Sequence, residues 1–90
     1  MAALVIVRAD VEDHDNWRTG FDAAAEFRDA AGVGEVSIHH EPGDRSKVVV
    51  LHTFDSVEAA EAFFSNPDLA EKMKQSGVIG RPQIDIYETI

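Results

Sequence analysis

Ninety residues, 44% of them hydrophobic and 28% charged, make one domain over residues 1–90 and exclude the disordered and fibrous classes. Seventeen acidic against eight basic residues give a formal charge of −9, which repels phosphate backbones and anionic lipid, so nucleic acid and membrane are not expected partners. The absence of cysteine excludes disulfides, thiolate metal ligands and a cysteine nucleophile.

Ala2 to Val7 is the longest apolar run, far short of the roughly 20 residues of a bilayer span, and it lacks the basic flank of a signal peptide. The expectation is a soluble cytoplasmic protein. Ala3 to Ala9 is β-branched and apolar on both alternating sets, Leu4 and Ile6 against Val5 and Val7, as in a strand covered on both faces. The acidic connector Asp10 to Asp15 suits the positive end of a following helix.

From Asp15 to Ala31 the period becomes helical. Trp17, Phe21, Ala24, Arg28 and Ala31 share one stripe, with Phe27 at its edge, and Gly32 ends the element. Arg28 is a cation in that stripe. It is read either as a snorkelling stem near the helix C-terminus or as an inward guanidinium for an anionic or phenolic ligand.

Glu35 to Glu41 alternates, with Val36 and Ile38 opposite Ser37 and His39, as an edge strand does. A Pro42-Gly43-Asp44 turn leads into Lys47 to Phe54, a second strand apolar on both sides. Asp55 or Ser56 caps the next helix, Ala60, Phe63 and Phe64 face inward, and Asn66-Pro67-Asp68 breaks and restarts it. Gly77 ends the second half, Val78 to Pro82 reads as a loop, and Gln83 to Glu88 is a last alternating strand with Ile84 and Ile86 on one face.

The order β, α, β, β, α, β predicts an α+β, ferredoxin-like fold with a four-stranded antiparallel sheet. In that arrangement the first and third strands are central, in agreement with their two apolar faces. Two helices cover one face only; the other exposes Val, Leu and Ile, which predicts a homodimer paired sheet on sheet into an α+β barrel.

Candidate chemistry centres on histidine. His39 and His40 are adjacent on a strand and point to opposite faces, so they cannot share a metal. His40 and His52 fall with apolar neighbours, either as core residues or as a general base able to take a phenolic or carbon-bound proton. His14 among Glu12, Asp13 and Asp15 has ligand types without metal spacing, and no metal site is expected. No phosphate-binding glycine loop, nucleophile elbow or zinc-protease motif is present.

The segments Val11-Glu12-Asp13-His14-Asp15-Asn16-Trp17, Phe54-Asp55-Ser56-Val57-Glu58, Asn66-Pro67-Asp68-Leu69 and Gly77-Val78-Ile79-Gly80-Arg81-Pro82 together resemble small bacterial proteins of the dimeric α+β barrel superfamily, near the antibiotic biosynthesis monooxygenases. The resemblance covers nearly the whole chain. It implies a homodimer with a pocket between each sheet and its own helices, and cofactor-free oxygenation or cyclisation of a small hydrophobic, aromatic or polyketide-like molecule. The alternative is a non-catalytic ligand-binding or accessory dimer. In the catalytic reading His52 or His40 is the base, Arg28 holds developing negative charge, and Trp17, Phe21, Phe63 and Tyr87 shape the pocket. A pocket of ~300 Å³ or more joining Trp17, a histidine and Arg28 would mark the enzyme, and a cavity too small for an aromatic ring the alternative.

Overall fold

The computed structural model describes residues 2–90. Its elements are β1 (Ala3–Val11), α1 (His14–Ala23), α2 (Ala25–Ala30), β2 (Val36–Glu41), β3 (Asp44–Phe54), α3 (Val57–Phe64), α4 (Pro67–Gln75) and β4 (Val78–Glu88). The sheet is antiparallel with strand order β2-β3-β1-β4. The first and third strands are central, as their doubly apolar pattern predicts. This is the ferredoxin-like α+β fold.

The registers sort side chains onto two faces. Val5 lies between His52 and Ile86, and Val7 between Val50 and Ile84, on the helix-covered face. One step along, Ile6 lies between Leu51 and Asp85 on the opposite face. The covered face is packed as two clusters. One gathers Val5, Val7, Phe54, Ala60 and Phe63; the other gathers Val11, Trp17, Val48 and Val50. His52 falls at the seam, between Val50 and Phe54 on the same face of β3.

Three predicted boundaries shift. The helix expected from Asp15 to Ala31 is two, because Ala24 leaves the helical pattern and its N–H bonds back to the Phe21 carbonyl at 3.2 Å, a tighter turn. Gly20, costly inside a helix, sits in that weak stretch because α1 crosses closely over Ser76; a Cβ there would lie 2.8 Å from the Ser76 Cβ. The expected loop Val78 to Pro82 belongs to β4. Gly80 takes φ 66° in the stretch where the β1–β4 register shifts between Arg8 and Asp10, and Pro82 is tolerated because β4 is an edge strand. β3 also begins at Asp44 rather than Lys47, since Pro42 and Gly43 (φ 81°) turn the chain tightly enough for Glu41 to pair with Asp44.

The caps fall as their chemistry dictates. Asp13 accepts from the Asp15 and Asn16 amides, Ser56 from Ala59, and Asn66 from Asp68 with Pro67 opening α4. Among the described residues no helix is long and apolar enough to cross a membrane.

Candidate functional site

A cavity of about 70 Å³ lies between the sheet and its helices where the two core clusters meet. β1 contributes Val7 and Ala9 to its floor and β3 contributes Val48, Val50 and His52; α1 and α2 supply Trp17, Phe21, Phe27 and Arg28; α3 and α4 supply Phe63, Phe64, Lys72 and Met73. Small residues create the space: Ala9, Gly20, Ala24 and Ser76 stand where larger side chains would fill it.

His52 is 4% exposed, and its Nδ1 is enclosed with no hydrogen-bond partner among the described residues. Leaving such a group unpaired costs about 1–3 kcal/mol. Its ring lies 5.5 Å from Phe64 edge-on, 6.4 Å from Phe54 and 6.5 Å from Phe63, between centroids. Burial among these rings, and secondarily the positive charge of Arg28, lowers its pKa to about 4. The imidazole is neutral at physiological pH, with one ring nitrogen able to donate and the other to accept.

Arg28 is held by the residue one helix earlier. Its Nη1 donates to the Phe21 carbonyl at 2.7 Å, and its guanidinium carbon lies 3.8 Å from the Phe21 ring centroid. Partial burial lowers its pKa, and Asp22 and Asp29 oppose that shift. Trp17 is buried, packs on Phe21 with centroids 5.3 Å apart and forms one wall.

The cavity thus brings together His52, Arg28, Trp17, Phe21 and Phe63. His40 and Tyr87 are placed elsewhere. His40 lies in register with Val48 on the helix side, near the end of β2 and beside His14 at the start of α1. The residue is exposed, its Nδ1 is 2.8 Å from the Glu41 carbonyl oxygen, and its ring meets His14 at 5.8 Å. Tyr87 pairs with Leu4 on the outward face and is 51% exposed, because the alternation that sends Ile84 and Ile86 inward sends it outward. Phe27, Phe64, Lys72 and Met73 also line the cavity without having been singled out as site residues. The signal for Phe64 and Met73 was their inward helical spacing; Lys72 carried none, since it reaches the cavity across α4 with its Nζ 5.0 Å from the Phe27 centroid.

The volume falls well short of the ~300 Å³ set for an aromatic substrate, and is under half of the ~150 Å³ that takes up benzene. Two more open depressions, about 330 Å³ around Arg8, Lys47 and Arg81 and about 1050 Å³ between α4 and β4, contain no histidine. Among the described residues no group of three His, Asp or Glu is arranged to hold a metal. The outward sheet face carries half-buried Leu4, Ile6, Val49 and Leu51, with ion pairs Arg8–Asp85 (2.8 Å) and Lys47–Asp10 (3.2 Å) toward one end.

No family model and no curated protein matches the sequence. Several structural neighbours are described as antibiotic biosynthesis monooxygenases. A protein of that type from Bordetella bronchiseptica superposes with a TM-score of 0.81 at 16% identity, covering 99% of this chain and 97% of that one. SnoaB, a cofactor-independent oxygenase from Streptomyces nogalater, gives 0.78 at 12% identity over 99% and 93%. A conserved protein from Methanosarcina mazei gives 0.77 at 11% over 100% and 94%. At these identities the likeness is one of fold.

Proposed function

We propose that this chain is a cofactor-independent oxygenase- or cyclase-type enzyme, working as a homodimer, whose reactive site is the cavity shared by His52, Arg28 and Trp17. The observation that carries the reading is the enclosed, unpartnered Nδ1 of His52 in an apolar cavity that also holds a guanidinium. The fold likeness to SnoaB supports the reaction class.

In the oxygenase form, His52 takes a proton from an acidic C–H of the substrate and Arg28 holds the resulting negative charge. The carbanion combines with O₂ to give a peroxide anion, and the His52 imidazolium returns the proton to it, giving a hydroperoxide and a neutral imidazole. Loss of water, which carries away one oxygen atom and both hydrogens of the original CH₂, leaves a carbonyl. Proton transfer from a group of pKa ~10 to an imidazole at about 4 is uphill by about 8 kcal/mol. That lies within the ~16 kcal/mol barrier of a turnover near 10 per second, before the attraction between the new ion pair is counted.

A non-catalytic small-ligand-binding protein is the second reading, and the small volume favours it. Both place a second copy on the outward face, whose apolar strip of Leu4, Ile6, Val49 and Leu51 the chain's own helices do not reach. The deciding experiment measures oxygen uptake with single-ring enolisable phenols, comparing the natural protein with His52→Asn. Uptake lost in the variant supports the enzyme. Ligand binding with no oxygen uptake or ring closure for any such substrate leaves the binding protein.

A further inference from the structure

We infer that the natural ligand of this cavity is a small hydroxylated acid, with an apolar body no larger than one ring, a hydroxyl for His52 and an anionic group for Arg28 and Lys72. The inference rests on the preceding reading of the cavity as the functional site.

The argument starts from charge. The chain carries seventeen acidic residues and eight basic ones, yet among the described residues the only charged ones lining the cavity are Arg28 and Lys72. Asp22 and Asp29 act on Arg28 electrostatically but do not line the space. In an acidic molecule a cavity edged only by cations selects negative charge, and its apolar walls strengthen the field inside. The two cations come from different elements, α2 and α4, and both rest on rings of the first helical pair, Arg28 on Phe21 and Lys72 on Phe27. Arg28 is fixed in orientation because one of its donors is already committed to the Phe21 carbonyl, and its remaining donors are free to meet an oxyanion.

The second requirement comes from His52. Its buried Nδ1 needs a partner, and a neutral imidazole meets a hydroxyl equally well as acceptor or donor, whereas it offers an ionised carboxylate no charge of its own. Apart from Ser76, whose hydroxyl donates to the Met73 carbonyl at 2.9 Å, the remaining lining is apolar, which gives the body of the ligand its character. Size sets the third limit. At about 70 Å³ the cavity excludes fused rings, and a single ring enters only when flexible side chains such as Lys72 and Met73 yield.

The test uses the fluorescence of Trp17, the chain's single tryptophan and a wall of the cavity. The probes are 4-hydroxybenzoate and its neutral counterpart 4-hydroxybenzyl alcohol, titrated at pH 7 in low salt, with thermal melting as a second readout. The acid is expected to bind about tenfold tighter than the alcohol. Lys72→Gln, an exposed change, and Arg28→Gln should each narrow that ratio, and both together should abolish it; Arg28→Met, which keeps the apolar stem and removes the charge, serves if the glutamine variant does not fold. Equal affinity for acid and alcohol overturns the acid selectivity while leaving the cavity as the site. A preference that survives both substitutions places the anion elsewhere and also overturns it. If neither probe alters Trp17 emission or melting, the reading of the cavity as a binding site fails.

Discussion

Arg28 meets Phe21 twice, through a 2.7 Å hydrogen bond to its carbonyl and by laying its guanidinium 3.8 Å over its ring. The bond is possible because the chain departs from the helix at Ala24, so the Phe21 carbonyl lies beside the next turn. One side chain therefore both ties α1 to α2 and presents positive charge to the cavity. Replacing Arg28 by Lys keeps the charge but loses the planar fork, and should lower stability by about 1–2 kcal/mol. Urea denaturation checks this; an unchanged midpoint would show that the two contacts contribute nothing to the junction.

His52→Leu removes the enclosed unpaired nitrogen and keeps a side chain of similar bulk. Stability at pH 7 should rise by about 1–2 kcal/mol while ligand binding or turnover is lost. A fall in melting temperature would mean that the nitrogen already has a partner, such as an enclosed water.

The pH dependence of stability follows from the same residue. Its pKa in the folded chain is about 4, against the ordinary 6.5 expected when unfolded. Between these values the unfolded chain binds the extra proton and the folded chain does not, so stability falls as pH drops from about 6.5 and levels near 4. The full loss from this group is about 3 kcal/mol. Chemical denaturation at pH 7 and pH 4.5, repeated on His52→Leu, isolates it: the variant should lose less stability over that interval than the natural chain, and equal losses would refute the assignment.

The outward face supplies a fourth expectation. Ile6 lies at its centre between Leu51 and Asp85, so Ile6→Glu should leave the fold intact by far-UV circular dichroism. It should also convert a dimer to a monomer in size-exclusion chromatography with light scattering. A natural protein that is already monomeric at micromolar concentration would remove the pairing proposal.

The fold was legible because its signals are local. Two-sided apolar runs marked the central strands, and Asp13, Ser56 and Asn66 sit at helix starts that the acidic connector and the capping residues announced. The lining of the candidate cavity was legible in part. Trp17, Phe21, Arg28, Phe63 and His52 point inward by period, and the helix-to-sheet packing brings them together. Tyr87 was excluded by the alternation of β4 itself, which sets it opposite Ile84 and Ile86, whereas His40 has the helix-side period and differs only in its exposure near the end of β2, which period does not carry. The small volume was not legible either, since it depends on how closely Gly20 and Ser76 bring α1 and α4 together.

Each helical pair is jointed, at Ala24 in one and around Ser65 and Asn66 in the other, while the strands beneath form a four-membered sheet whose register shifts lie toward one end, at Arg8–Asp10 and His40–Glu41. A short helix has few internal bonds to lose, so opening either helical pair is expected to cost less than opening the sheet. On that expectation, access to His52 runs between the helices. Deuterium uptake should be fastest in Ala25–Ala30 and Pro67–Gln75 and slowest along Val5 to Val7 and Val48 to Val50, with a bound ligand slowing only the former.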